Sequence, residues 1–261
     1  MSSKWIAVAA LALAPLALAP APAHAWETST HLGLVEQAAL AADVDAWLRD
    51  LGQTGGLFAP LVVPPDDAPD LFAALGNHSA ADGFVPDLRG QQPALGWLLA
   101  GAALADATPQ WAANHFFDPT SGAGWRAPSP SLYDRARDLA RPHADLPARG
   151  VPAPDWAVSK DNPLGLTGFL DQYEKAVSGA TPAERGRATA GALVAAGAVL
   201  HVLGDLGSPT HTRSDEAAHL AKLGAGDDAG SRFERLTAIA WGRLGVPAAV
   251  SVSDATRLIR N

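Results

Sequence analysis

The segment that opens with Thr181-Pro182-Ala183-Glu184 and runs on to His201-Val-Leu-Gly-Asp205-Leu-Gly-Ser-Pro-Thr-His211 decides the fold. Thr181, three residues ahead of Glu184, is a capping box, and Pro182 occupies the first helical position, where no amide hydrogen is required. The uncharged stretch from Ala188 to Leu200 has the length of a buried helix, and the helix is predicted to continue through His201 to about Leu206. Gly191 and Gly197 lower its intrinsic propensity but admit a close neighbour. A Gly-Ser-Pro stop then ends the helix and brings His211 round. Residues four apart share one helix face, so His201 and Asp205 project together. That is half of a metal site, since imidazole nitrogens and carboxylate oxygens are zinc ligands at roughly 2.0–2.2 Å, and it is equally a buried hydrogen-bonded couple.

Working outward, helical signals dominate. His31 to Leu51 carries apolar residues at Leu32, Val35, Ala39, Ala42, Ala46 and Trp47 and ends at Gly52, which suits a C-terminal cap. Pro93 to Ala105 and Leu166 to Val177 are predicted amphipathic helices, followed by Arg232 to Leu244 and a last one from Ser253. Pro/Gly/Ala-rich loops are expected at Gly55 to Pro69, Pro119 to Pro130, Pro142 to Pro163 and Gly224 to Gly230. No 20 to 50 residue period recurs and alternating β-branched runs are scarce. The expectation is an all-α multi-helix bundle with a zinc cluster at one end and long Pro/Gly-rich loops.

Residues 1–25 read as a secretory signal. Lys4 supplies the positive n-region, Trp5 to Ala19 the apolar core, and Ala23-His24-Ala25 the small-x-small cleavage site, leaving Trp26 as the new N-terminus of a single domain, residues 26–261. A secreted or periplasmic location follows. Cleavage removes one of 19 basic and none of 27 acidic residues, so the formal charge goes from −8 to −9. That sign disfavours avid, sequence-independent binding of nucleic acid. The chain has no cysteine, so any metal must be held by His, Asp, Glu and main-chain groups.

Two further segments stand beside the first: Trp26-Glu-Thr-Ser-Thr-His31-Leu-Gly-Leu-Val and Asn114-His115-Phe-Phe-Asp118-Pro119. Together the three resemble the zinc-dependent phospholipase C family and its relatives, the zinc-dependent single-strand nucleases. The resemblance runs from Trp26 to about Glu234, with the spacing of His201, Asp205 and His211 in agreement. It implies one zinc held by Asp106, His115, His201 and Asp205, and another held by the Trp26 amino nitrogen and carbonyl oxygen with His31 and Asp205. Asp205 would bridge the two. Asp106, placed by the weaker match Gly101-Ala-Ala-Leu-Ala-Asp106, would also orient or deprotonate the attacking water; its bland alternative is a helix-terminal surface carboxylate.

A third zinc is implied at His211 and Glu234, but the position one turn before Glu234 is Gly230, which carries no ligand atom. Asp215, His219, Asp227 and Asp228 are the available substitutes. Asp118 reads as a structural turn residue, His78 and His143 as exposed, and Trp97, Trp111, Trp125 and Trp156 as core and loop anchors. The resemblance implies phospholipid hydrolysis at a membrane or micelle surface, with transient membrane contact, giving diacylglycerol and a phosphorylated head group. The alternatives are a single-strand nuclease or 3′-nucleotidase on the same scaffold, and a weakly active or non-catalytic zinc-binding domain. Gly230 motivates the last, together with how few residues follow Glu234; relatives continue through further helices, so a fragment or a C-terminally short member is expected.

Overall fold

The computed structural model describes residues 28–77, 87–106, 108–126, 147, 149–212 and 232–240. Ten helices cover much of this: α1 Thr28–Ala41, α2 Val44–Asp50, α3 Pro69–Asn77, α4 Ala94–Leu104, α5 Pro109–Ala112, α6 Ala153–Val158, α7 Leu166–Ser178, α8 Pro182–Asp205, α9 Pro209–Thr212 and α10 Arg232–Ala240. No strand occurs among the described residues, only isolated bridges such as Pro60 with Pro93. The all-α expectation holds.

The long helix α8 begins as its cap dictates. Thr181 Oγ1 accepts from Glu184 N at 3.1 Å and Glu184 Oε2 accepts from Thr181 N at 3.0 Å, so both halves of the capping box are made. Among the described helices only α8 has the length and apolarity to cross a membrane, yet most of it is buried between α4 and α7. Helix α4 was expected to be amphipathic. It is instead apolar all round: Ala94, Leu95, Trp97, Leu98 and Ala100 through Leu104 are all buried, because α1, α3 and α8 surround it.

Glycine sets the approach of α4 to α8. A Cβ on Gly101 would lie 1.8 Å from the Val194 carbonyl oxygen, and one on Gly197 would lie 1.9 Å from that of Leu98. Each helix therefore offers bare backbone where the other's carbonyl arrives. Around this crossing lie Val35, Leu48, Leu61, Val63, Leu75, Leu104 and Leu193, with Phe72 edge-on to Trp97 at 5.9 Å. Trp97 Nε1 donates to Leu61 O at 2.8 Å, which pins the segment 60–63 onto the core.

Three further expectations are corrected. The helix read from His31 to Leu51 is two helices, because Asp43 Oδ1 accepts from Ala46 N at 3.1 Å and starts a new one. The stretch Pro142 to Pro163, read as loop, contains α6, where Trp156 packs with Ala153, Ala157 and Val202. Helix α3 starts at Pro69, where only the end of a loop had been read. Residues 1–27 with the signal and Trp26, His78, His143, Asp215, His219, the loop 224–230, and everything from Trp241, including the helix read from Ser253, lie outside the described residues.

Candidate metal centre

Four helix ends and one turn deliver the site. His31 stands on the first turns of α1, Asp106 two residues beyond α4, His115 in the turn after α5, and His201 with Asp205 on the last turn of α8. Helix α8 stops at Leu206, Ser208 N donates to Asp205 O at 2.8 Å, and Pro209 opens α9, which carries His211 back toward the cluster. The Gly-Ser-Pro stop thus does what its sequence suggests. His31, His115, His201, His211, Asp205, Asp106 and Glu234 are all buried.

Charges and rings converge at contact distance. Asp205 Oδ1 lies 3.1 Å from His31 Nε2, and its Oδ2 lies 2.8 Å from His115 Nδ1 and 3.4 Å from His201 Nε2. Asp106 spans two histidines, Oδ1 at 3.1 Å from His115 Nδ1 and Oδ2 at 3.2 Å from His201 Nε2. This disposes of the surface-carboxylate alternative for Asp106. His31 and His201 stack with centroids 3.5 Å apart. Gly204 lies against the other edge of the His31 ring, where a Cβ would meet Nδ1 tightly at 3.2 Å.

Proton bookkeeping explains what this cluster can do. His201 Nδ1 lies 2.6 Å from Ala102 O, and a carbonyl only accepts, so Nδ1 carries the hydrogen. In the neutral ring Nε2 is then a bare lone pair, and it points at two carboxylates. Both ring nitrogens of His31 and His115, Nε2 of His201 and both oxygens of Asp205 are buried without a properly angled hydrogen bond. Leaving such a group unsatisfied costs about 1–3 kcal/mol, so the cluster is tolerable only if protons or cations sit among the acceptors. Two sets, His31 with His201 and Asp205 and Asp106 with His115 and His201, have ligand atoms close enough together to hold a metal ion. Their chemistry, imidazole and carboxylate without thiolate, fits a borderline divalent cation.

The electrostatics point the same way. Burial, helped by the charge of His201, lowers the pKa of His31 to about 4 despite Asp205, so its ring is neutral and ligand-ready at neutral pH. At His201 burial works downward, but the charges of Asp106 and Asp205 outweigh it and the net direction is up. At Asp205 burial would raise the pKa, yet His211, His31 and His201 together with the close approach of His115 Nδ1 pull it well below the usual carboxylate range. Asp205 is the permanent anion at the centre.

The middle segment is built as a clip. His211 Nδ1 lies 2.8 Å from His115 O, Phe117 N donates to His211 O at 3.0 Å, and the Phe116 ring stacks on His211 at 4.3 Å. Asn114 Oδ1 accepts from Val151 N at 2.7 Å, a positioning role the sequence did not suggest. Asp118 is the turn residue expected, its pKa lowered to about 2 by hydrogen bonds from the side chains of Thr120 and Ser121 and the backbone of Thr120. Trp97, Trp125 and Trp156 are buried anchors, and Trp111 is half-buried.

Glu234 reaches the edge of the cluster from α10. Its Oε1 lies 3.9 Å from His211 Nε2 and accepts hydrogen bonds from Thr210 Oγ1 and, at 3.2 Å, Ser208 Oγ. Neither hydroxyl was singled out from sequence. Serine and threonine flanking a proline ahead of a histidine would have been the signal. Comparison of the chain with protein-family models, with curated proteins and with solved structures finds no match.

Proposed function

We propose that the mature protein is an exported zinc-dependent phosphodiesterase of phospholipase C type, cutting the glycerol side of a phospholipid phosphodiester at a membrane or micelle surface. The observation that carries this reading is the buried His/Asp cluster, in which His31, His201 and Asp205, and Asp106, His115 and His201, bring their ligand atoms close enough together to hold a metal ion. His31, His115, His201, Asp106 and Asp205 would hold two zinc ions, with Asp205 shared. When bound, zinc supplies Lewis-acid polarisation of the phosphoryl group and lowers the pKa of water toward ~7.

The chain's own residues then divide the work. Ala102 O fixes the His201 tautomer and His115 O fixes that of His211, so both rings present Nε2 inward. Asp106, close to His115 and His201, orients the attacking water and takes its proton at a carboxylate oxygen. The chain is acidic, in keeping with neutralisation of phosphate by metal charge. The test is to assay zinc-loaded protein beginning at Trp26 on phosphatidylcholine micelles and single-stranded DNA side by side. Release of diacylglycerol is expected. Hydrolysis of DNA alone would move the protein to the nuclease class, and no hydrolysis of either would leave a zinc-binding domain.

A second expected result concerns the N-terminus. Cutting between Ala25 and Trp26 frees an α-amine that, with its own carbonyl oxygen, can chelate metal in a five-membered ring; an amide nitrogen cannot replace it. With a reference pKa of ~7.7–8.0 the amine gives up its proton to metal near neutral pH. Export would then switch the enzyme on, away from the cell's own membranes. Protein carrying one extra residue before Trp26, or acetylated there, is expected to lose one zinc and most turnover. Equal zinc content and turnover in the extended form would make Trp26 an ordinary aromatic.

A further inference from the structure

We infer that an exposed apolar stripe on α7, made of Leu166, Leu170, Tyr173 and Val177, is the face by which the protein seats on a zwitterionic phospholipid surface. The inference rests on the reading above that the protein meets phospholipid, and it adds which face does so and what kind of surface that face takes. The four residues follow one another at intervals of four, three and four, so they share one side of the helix. They are 42%, 53%, 37% and 60% exposed. A helix on the outside of a globular protein ordinarily turns such a stripe toward the core.

Helix α7 does not, because the contact that holds it lies elsewhere on its circumference. Of its 13 residues only Ala176 is fully buried, in a cluster with Ala188 of α8. Gln172, one turn earlier, lies against Gly191, where a Cβ would meet Gln172 Oε1 at 2.9 Å. At about 100° per residue, the direction shared by Gln172 and Ala176 is roughly 110° round the helix from the stripe. Along one edge the stripe is braced by rings: Trp47 of α2 stacks with Phe169 and Tyr173 at 6.4 and 6.2 Å, and Phe169 with Tyr173 at 6.1 Å. Gln172 beside Gly191 and Gly179 beside Arg185 make α7 antiparallel to α8. The stripe therefore begins, at Leu166, toward the end of α8 that carries His201 and Asp205.

Charge and area select what covers the stripe. The exposed charges of α7 are Asp171 and Glu174 against Lys175, and the chain as a whole is acidic. An anionic leaflet would repel both, and the basic flank by which interfacial helices hold anionic lipid is here an acidic one. A zwitterionic surface has no net charge to oppose them. Tyr173 suits the headgroup level, with its ring on the apolar side and its hydroxyl in water, while Leu166, Leu170 and Val177 face the acyl chains. A second copy of the chain fits this face less well. The patch is of a few hundred Å², short of the about 800 Å² per partner that a stable protein interface buries. A bilayer sets no such minimum, since binding grows with each apolar group that enters it.

The chain has no cysteine, so one introduced thiol can carry a polarity-sensitive fluorophore without competition. Protein beginning at Trp26, with zinc present and with Leu170→Cys or Asp171→Cys labelled, is mixed with vesicles of a phosphonate analogue of phosphatidylcholine that cannot be cut, with and without added anionic lipid. The label at 170 is expected to shift to the blue, and the label at 171, about 100° round the helix, to stay unshifted. Anionic lipid should weaken binding. Leu170→Glu should lower vesicle partition by at least about tenfold and leave zinc content and Tm unchanged. Equal shifts of both labels, tighter binding to anionic vesicles, or wild-type partition in Leu170→Glu would overturn the inference. So would a fall in Tm without loss of partition, the mark of a stripe covered by the protein's own chain, or a wild-type dimer that Leu170→Glu splits. Partition is read without turnover, so the two readings fail separately. A protein that partitions by the stripe and cuts no lipid loses the phosphodiesterase reading alone; one that cuts micelles but partitions without the stripe loses this inference alone.

Discussion

Asp205→Asn should empty the cluster of metal and abolish hydrolysis. The carboxylate stands within 3.4 Å of nitrogens on His31, His115 and His201, and it is the fully buried anion of the group. Asparagine keeps the shape and one oxygen but loses the charge. Unit charges 4 Å apart at an effective dielectric near 20 interact by about 4 kcal/mol, and a ligand lies closer to its ion than that. A loss of about a thousand-fold or more in zinc affinity follows at that energy. His115→Ala and His201→Ala should behave alike. Zinc content after dialysis, read beside turnover and circular dichroism, checks this. A folded Asp205→Asn protein with wild-type zinc and turnover would sink the assigned constellation.

Gly101→Ala should be strongly destabilising. Its Cβ would meet the Val194 carbonyl oxygen at 1.8 Å, and that oxygen belongs to the backbone of α8, so the two helices must part. Overpacking of this kind costs about 1–3 kcal/mol or more, against a gain of about 1 kcal/mol from replacing glycine in a helix. A net fall of roughly 4–8 °C in Tm is expected for a loss of about 2 kcal/mol in a domain of this size. The effect should reach the site, because His201 Nδ1 to Ala102 O crosses the same interface. Zinc affinity should therefore fall with Tm. Gly76→Ala in α3 is the control: nothing lies within 4 Å of its Cβ, and the substitution should be neutral or mildly stabilising. A Gly101→Ala protein that melts with wild type would show that the α4 and α8 crossing is looser than its geometry.

Much of the architecture was legible because its signals are local. The Thr181 to Glu184 box, the apolar run behind it and the Gly-Ser-Pro stop each act over a few residues, and each appears as read. Asp43 was equally local. It sat between Ala42 and Ala46 in what looked like one periodic stretch, and the period concealed a cap that a short acidic residue supplies. Helix α6 was missed for the opposite reason, since its prolines at 152 and 154 punctuate the sequence as a loop while packing of Trp156 against Val202 holds it helical.

What the sequence by itself determined is the list of chemically able residues and the face that two of them share: His201 and Asp205 four apart on one helix, with no thiol anywhere to compete. Tertiary structure alone decided which atoms of those residues meet. Ala102, 99 positions away, takes the His201 hydrogen, and His115, 96 positions away, takes that of His211; only then do their Nε2 atoms turn toward Asp205 and Glu234. A tautomer is fixed by the partner of the other nitrogen, and that partner is set by how helices cross, through Gly101 and Gly197 against opposing carbonyls. Periodicity along a chain reports which side of a helix is apolar. It carries no information on the angle and depth at which two helices pack, and those decide whether a histidine is a ligand or a hydrogen-bonded core residue.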